Sequence, residues 1–169
     1  MIMGIKQGLL SEFLYEAENT RKLLKAIPDS ALEYRPQPHL WSIGQLAKHI
    51  ANIYNWFDGT FNYDRFDITT LERKEYEVNS ANILNEFEEN FAKAKEVLEN
   101  SDETQYFNEW SLVAGEQTLM GPSPKIGMAR GFLFNHLYHH RGELVAHLRA
   151  TGNKVPGLYG PTYEESQGM

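Results

Sequence analysis

Apolar side chains recur every three or four residues along four stretches of the chain, the spacing that collects them on one face of an α-helix. The first predicted helix runs from about Gly4 to Ala26, and Pro28 follows where the helix can no longer continue. The second begins after Ser42, a residue type that caps helix N-termini, and runs to about Phe57. Both helices lie in the first third of the chain.

The same spacing predicts two further helices in the rest of the chain. The third runs to about Glu99 and is capped by Asn79 or Ser80, either of which can accept hydrogen bonds from the first free N–H groups. The fourth covers about Lys125–Arg149 and stops at Gly152, because glycine readily adopts the backbone conformation that ends helices.

Two long segments without clear helical spacing connect these helices. Residues Asp58–Val78 mix aromatic and charged side chains, which indicates a long loop or lid, with or without a short helix. Residues Ser101–Gly121 alternate only in part, so a short hairpin and an irregular crossover both remain open, and Gly121–Pro124 is a break. Long connections let helices run parallel to one another. We therefore expect an all-α fold, a four-helix bundle with crossovers near 58–78 and 101–124, formed by a single domain over residues 1–169.

Composition restricts the partners of such a chain. Its 169 residues are 41% hydrophobic and 12% aromatic, which fits a protein with a packed core. The net charge of −7 disfavours nucleic acid and anionic membranes as partners. No apolar run is long enough to span a bilayer and no signal-peptide pattern occurs at the N-terminus, so we expect a cytoplasmic protein. Cysteine is absent, so any metal must be held by His, Asp, Glu or water.

Two histidines on the fourth predicted helix are the strongest chemical signal. His136 and His140 are four residues apart, so both project from one face of the helix and can grip one divalent ion. A metal site needs at least one more ligand, and His49 on the second predicted helix is the best candidate. The H-x-x-x-H pattern alone is common by chance, so the third histidine carries much of the hypothesis.

The helical period extends this pair into a polar stripe beside the apolar stripe of the same helix. Glu143 and His147 belong to the stripe, whereas His139 points elsewhere and is expected to face outward or to pack at an interface. The stripe is either the solvated edge of an amphipathic helix or an inward-facing site. His147 lies about 10 Å along the axis from His140, too far to share its ion, and is interpreted as a hydrogen-bonded core residue.

Other prominent side chains have structural interpretations. Tyr54, Trp56 and Trp110 are expected in the core rather than as a platform for a substrate. Arg141 is expected to pair with an acidic residue on a neighbouring helix, and His39, in a proline-flanked loop, is expected to be exposed.

Three segments together resemble a known family. Residues 41–50 have the sequence WSIGQLAKHI, residues 135–144 have NHLYHHRGEL, and residues 155–161 have VPGLYGP. These match, in order and separation, the W-S-x6-H start of the second helix, the H-x-x-H-H-R-G-Q-L signature and the tail of the DinB-like superfamily. The chain therefore resembles, over nearly its whole length, the four-helix-bundle proteins of the DinB/YfiT type.

The resemblance implies a function. It places the metal ligands at His49, His136 and His140, with zinc or nickel favoured and iron or manganese possible in principle. Three histidines leave coordination positions open, as in catalytic rather than structural sites. Some members of the superfamily are thiol S-transferases or thiol-dependent isomerases that use bacillithiol, mycothiol or glutathione, and others are suspected hydrolases. The resemblance also implies a small-molecule substrate and a homodimer.

One residue departs from the signature. Position 143 is Glu, where the superfamily usually has Gln. Its carboxylate is interpreted as a catalytic general base, as a fourth metal ligand, or as a partner that orients a histidine ring. A salt-bridged residue without a catalytic role is an equal alternative.

Two classes of function follow. The first is a metal-dependent enzyme in which the ion activates a thiol or water, as in a thiol S-transferase or a hydrolase. The alternative is a non-catalytic metal-binding or stress-response helical bundle protein. An enzyme requires an open coordination position, whereas a binding protein is expected to close the site.

Overall fold

Long helices form where the apolar spacing predicts them. The structure, a computed structural model, describes residues 4–71 and 74–167. Its α-helices are α1 (Ile5–Lys25), α2 (Ile43–Ile53), α3 (Trp56–Phe61), α4 (Ser80–Asn100), α5 (Lys125–Met128), α6 (His136–Ala150) and α7 (Tyr163–Ser166). Helix α4 packs against α1 and α2, and α6 packs against α1 and α2. Within the described ranges, no helix combines the length and apolar character needed to cross a membrane.

The ends of α2 show how local sequence sets the boundaries. Ser42 and Gln45 form a reciprocal capping box, in which each side chain accepts a hydrogen bond from the backbone N–H of the other. The predicted cap at Ser42 is therefore confirmed. The other end is four residues shorter than the predicted Phe57, because the N–H of Asn55 bonds to the carbonyl of Asn52, three residues back, and tightens the last turn.

The fourth predicted helix is continuous from Lys125 to Ala150 but is not α-helical throughout. Between α5 and α6, residues Ala129–Asn135 form a π-helix, which ends immediately before His136. Such segments are rare and occur often at functional sites. The predicted stop at Gly152 is confirmed, since its φ of 78° is a conformation that suits glycine.

A small sheet corrects the prediction of an all-α fold. Strands β1 (Arg65–Asp67), β2 (Glu109–Ala114) and β3 (Gln117–Pro124) lie in the order β1-β2-β3. Strands β2 and β3 form the antiparallel hairpin that was one of the two alternatives for this segment. Strand β1 pairs in parallel with β2, with Phe66 opposite Leu112. Three residues are too few to show a period in sequence, so β1 exists because β2 offers its edge.

The sheet joins the helices through buried aromatic residues. Trp110 is fully buried, and its indole Nε1 donates a hydrogen bond of 2.9 Å to the carbonyl of Gly59 in α3. A side chain at Gly59 would overlap the ring of Phe66, so glycine permits the close approach of β1 and α3. Tyr54 is also buried, and the expectation that Tyr54 and Trp110 belong to the core is confirmed.

A buried ion pair fixes α6 to α1. Arg141 pairs with Glu16, and both side chains are almost fully shielded from solvent. The guanidinium also donates to the Glu16 carbonyl at 2.8 Å and to Thr20 at 3.3 Å, and the hydroxyl of Tyr159 donates to the Glu16 carboxylate at 2.8 Å. The predicted pairing of Arg141 with an acidic residue on a neighbouring helix is confirmed.

Substitution of Arg141 by Met should destabilise the protein strongly, because it leaves the carboxylate of Glu16 buried without its cation. Breaking one partner of a buried pair costs about 3–5 kcal/mol. The free energy of unfolding from urea denaturation measures the loss. Arg149→Met is the matched control, since Arg149 is exposed on the same helix and should change the value by less than about 0.5 kcal/mol. Equal midpoints for the two variants would contradict the structural role of the pair.

Candidate metal centre

The three predicted histidines converge. His49 comes from α2, His136 and His140 come from α6, and one ligand nitrogen from each lies within 4.8 Å of the others. The Nε2 atoms of His49 and His136 are 3.2 Å apart. The centroid of the His140 ring is 4.6 Å from the centroid of each of the other two. At His136 and His140, the polar stripe of the last predicted helix therefore faces inward and is not a solvated edge.

Burial of the apolar stripes brings the imidazoles together. Ile50, next to His49, is fully buried, and Leu137, next to His136, is buried too. Packing of α2 on α6 through these apolar neighbours places the histidine side chains at the edge of the contact, where all three are half-buried. Each of the three residues therefore keeps part of its surface accessible to solvent.

The donor set fits a divalent ion. Two nitrogens bound tetrahedrally to one zinc at 2.0–2.1 Å are about 3.4 Å apart, close to the separation of the His49 and His136 Nε2 atoms. The same distance also fits a hydrogen bond between a protonated and an unprotonated imidazole nitrogen. Nitrogen ligands of this kind suit zinc, nickel, copper and iron.

Burial favours the neutral form of the His136 imidazole. Desolvation lowers the pKa of His136, and the neighbouring His140 lowers it further. The backbone carbonyl of Phe132, to which the His136 ring is hydrogen-bonded, acts in the opposite direction but is the weaker influence. A lowered pKa means that the lone pair of His136 remains available at lower pH than that of a free imidazole.

Two tryptophans border the cluster. The ring of Trp41 lies 4.8 Å from that of His49 and 5.6 Å from that of His140. Trp56 lies 5.5 Å from His49 and 5.4 Å from His136, so this half-buried ring belongs to the wall of the site as well as to the core. Trp41 is 47% exposed. The sequence did not predict this role for Trp41, because Trp41 precedes the N-cap Ser42 and the helical period does not extend to it.

Glu143 lies beside the cluster and contacts it through His140. Its Oε2 is 2.6 Å from Nδ1 of His140 and 3.6 Å from Nε2 of His139. The three form a second group of possible ligands, in which Glu143 and His139 are exposed. The predicted outward position of His139 is confirmed by the 64% exposure of its side chain.

The remaining histidines lie outside the cluster. His39 is exposed, as predicted. His147 is half-buried and packs edge-on against Tyr34, with the ring centroids 6.4 Å apart. Its Nδ1 has no hydrogen-bond partner in the described part of the chain, which differs from the predicted hydrogen-bonded core residue. Packing on an aromatic ring accounts for its place without a metal.

The chain matches a known protein family over nearly its whole length. The model of the DinB family matches residues 3–169. The chain is 26% identical over 160 residues to the uncharacterized protein YrdA of Bacillus subtilis (strain 168), which covers 92% of this chain and 89% of YrdA.

Two crystal structures of DinB-like proteins share the fold. One, from Bacillus cereus ATCC 10987, has a TM-score of 0.71 and 25% identity, covering 94% of this chain and all of the other. The second, YjoA from Bacillus subtilis, has a TM-score of 0.72 and 20% identity, covering 89% of this chain and 97% of YjoA. With a family match that extends over nearly the whole sequence, the chain belongs to the DinB family.

Proposed function

We propose that this member of the DinB family is a metal-dependent enzyme in which His49, His136 and His140 hold one divalent ion that activates a small thiol or water. The observation that carries the proposal is the convergence of three imidazole nitrogens from two helices within 4.8 Å. Zinc and nickel suit this donor set best, with iron and manganese as further candidates. Activation of a thiol would make the protein a thiol S-transferase, and activation of water would make it a hydrolase.

Three protein ligands are the number typical of catalytic zinc sites, which keep a position for water or substrate. When bound, such an ion lowers the pKa of a coordinated thiol or water and polarises a carbonyl. The chain's own residues supply the rest. The rings of Trp41 and Trp56 border the histidines and limit water on those sides. The exposed portion of Trp41 leaves a small-molecule substrate one side from which to approach.

Further parts of the proposal come from the helical period, the composition and the family resemblance. Helices α1, α2 and α4 and the helix from α5 to α6 would be the members of a four-helix bundle. The protein would act in the cytoplasm as a homodimer, without nucleic acid or membrane as a partner. The general-base role of Glu143 stays a prediction.

Replacement of His140 by Ala should abolish stoichiometric binding of zinc or nickel, because two imidazoles remain. Metal bound only to the folded state stabilises it by about 2.7 kcal/mol at a hundredfold excess over Kd. Loss of that contribution should lower Tm in metal-replete buffer by roughly 5–10 °C. Elemental analysis of untagged protein and thermal denaturation are the measurements. His147→Ala on the same helix is the control and should keep the ion, and equal binding by both variants would exclude the three-histidine site.

Tryptophan fluorescence should report an ion at the cluster. Cu²⁺ and Ni²⁺ bind imidazole well, and their open d shells quench a nearby excited indole. Trp41→Phe and Trp56→Phe should each remove a large part of the quenching. The rings of Phe132 and Trp56 separate Trp110 from the cluster, so Trp110 should contribute little to the quenching. Quenching that persists unchanged in both Trp41→Phe and Trp56→Phe would place the ion elsewhere.

Direct ligation of a thiol should be visible in protein loaded with Co²⁺. Addition of glutathione, bacillithiol or mycothiol is expected to produce the near-ultraviolet absorption of sulfur-to-cobalt charge transfer, because an open position accepts the thiolate. His140→Ala should lack it. If none of the thiols changes the spectrum and no ester is hydrolysed, the non-catalytic metal-binding alternative replaces the enzymatic proposal.

A further inference from the structure

A short hydrogen bond joins Glu143 to His140 at the edge of the cluster. It joins Oε2 of the carboxylate to Nδ1 of the imidazole at 2.6 Å, three residues apart on α6. We propose that Glu143 is a positioning residue: it accepts the Nδ1–H of His140, and so fixes the ring and directs Nε2 toward the metal. This inference rests on the proposed metal site and names how one of its ligands is held.

The distance separates this role from that of a fourth ligand. Two atoms bound to one zinc ion at about 2.0–2.1 Å in a tetrahedral site are about 3.4 Å apart. A separation of 2.6 Å is too short for that arrangement and is that of a charge-assisted hydrogen bond. Since Nδ1 of His140 is engaged by the carboxylate, Nε2 is the nitrogen left for an ion.

A second histidine is held in a similar way. The backbone carbonyl of Phe132, four residues earlier, lies where it can accept the ring N–H of His136 and raises the pKa of that imidazole. Its Nε2 faces that of His49 at 3.2 Å. Metal-bound histidines commonly donate their second N–H to a carbonyl or a carboxylate, which fixes the tautomer and raises the basicity of the ligand. For His140 the acceptor is the carboxylate of Glu143, whose negative charge would also offset part of the charge of a divalent ion.

Solvent reaches the carboxylate but hardly reaches its histidine partner. The side chain of Glu143 is 43% exposed, whereas that of His140 is 12% exposed. His139 touches the same carboxylate oxygen at 3.6 Å from the solvent side. His139 is absent from the group formed by His49, His136 and His140, so its removal takes away a contact of the carboxylate and none of the three proposed ligands.

The test compares Glu143→Leu, Glu143→Gln and the control His139→Ala in the full-length protein. The Zn²⁺ dissociation constant is measured by competition with a chromophoric chelator. Glu143→Leu should weaken binding by about 10–100-fold, the usual effect of losing such a partner. Glu143→Gln keeps an acceptor without the charge and should lose less, and His139→Ala should bind as the wild type does.

A second measurement does not require the metal. The ¹⁵N shifts of the His140 ring in metal-free protein distinguish the Nδ1–H from the Nε2–H tautomer. The wild type should show Nδ1–H, and Glu143→Leu should shift the population toward Nε2–H. Wild-type tautomer and wild-type zinc affinity in Glu143→Leu would overturn the positioning role. Loss of thiol-transfer or ester-hydrolysis activity in Glu143→Leu, with an unchanged Zn²⁺ dissociation constant, would also overturn the positioning role, in favour of a general base.

The failure of the metal site gives a different result from the failure of this inference. Wild-type protein that binds no zinc, with the Nδ1–H tautomer lost in Glu143→Leu, would remove the proposed function while the hydrogen bond stands. Zinc bound with equal affinity by the wild type and both Glu143 variants would leave the metal site standing and remove the positioning role of Glu143. Glu143→Gln, nearly identical in shape, carries the comparison if Glu143→Leu does not fold.

Discussion

The buried pair of Arg141 and Glu16 sets the angle at which α6 faces the rest of the protein. Arg141 is the residue after His140, so the two side chains project about 100° apart around the helix axis. When Arg141 is held against α1 by its ion pair and hydrogen bonds, His140 is turned toward α2 and His49. A rotation of α6 that separated the histidines would also pull Arg141 away from Glu16 and leave a buried charge without its partner, which is costly. The stability of the helices and the geometry of the cluster therefore depend on the same contact.

Aromatic rings connect the cluster to the sheet. Trp56 stacks on Phe132 at 5.1 Å, and Phe132 lies 5.6 Å from Trp110 in β2. Trp110 in turn is hydrogen-bonded to Gly59 of α3. The two long crossovers, which pair with each other in the sheet, thus support the wall of the histidine site from behind.

The sequence predicted the long helices and the histidines well, because both follow from the helical period. Ile5–Lys25 and Ser80–Asn100 lie within one residue of the predicted ends, and His49, His136 and His140 meet as expected. The β2–β3 hairpin was one of two alternatives for its segment, whereas β1 was missed because a three-residue strand has no period of its own and depends on a distant partner. The contact of Glu143 with His140 was one of several alternatives. Two residues three apart on a helix can touch, but this spacing does not determine whether the Glu143 side chain contacts the imidazole or extends into solvent.

The number of residues in the π-helical segment before His136 determines how α6 is rotated relative to α5. Each residue of a regular helix contributes about 100° of rotation, and the wider turn of Ala129–Asn135 changes the phase between α5 and α6. The wider turn therefore helps to set the buried side of α5, where Lys125 bonds to Asp64, relative to the side of α6 that carries His136 and His140. A single insertion or deletion between Lys125 and His136 would therefore rotate the histidine-bearing side of α6 by about 100° relative to α5, whereas a substitution on an exposed face of these helices would leave that angle unchanged.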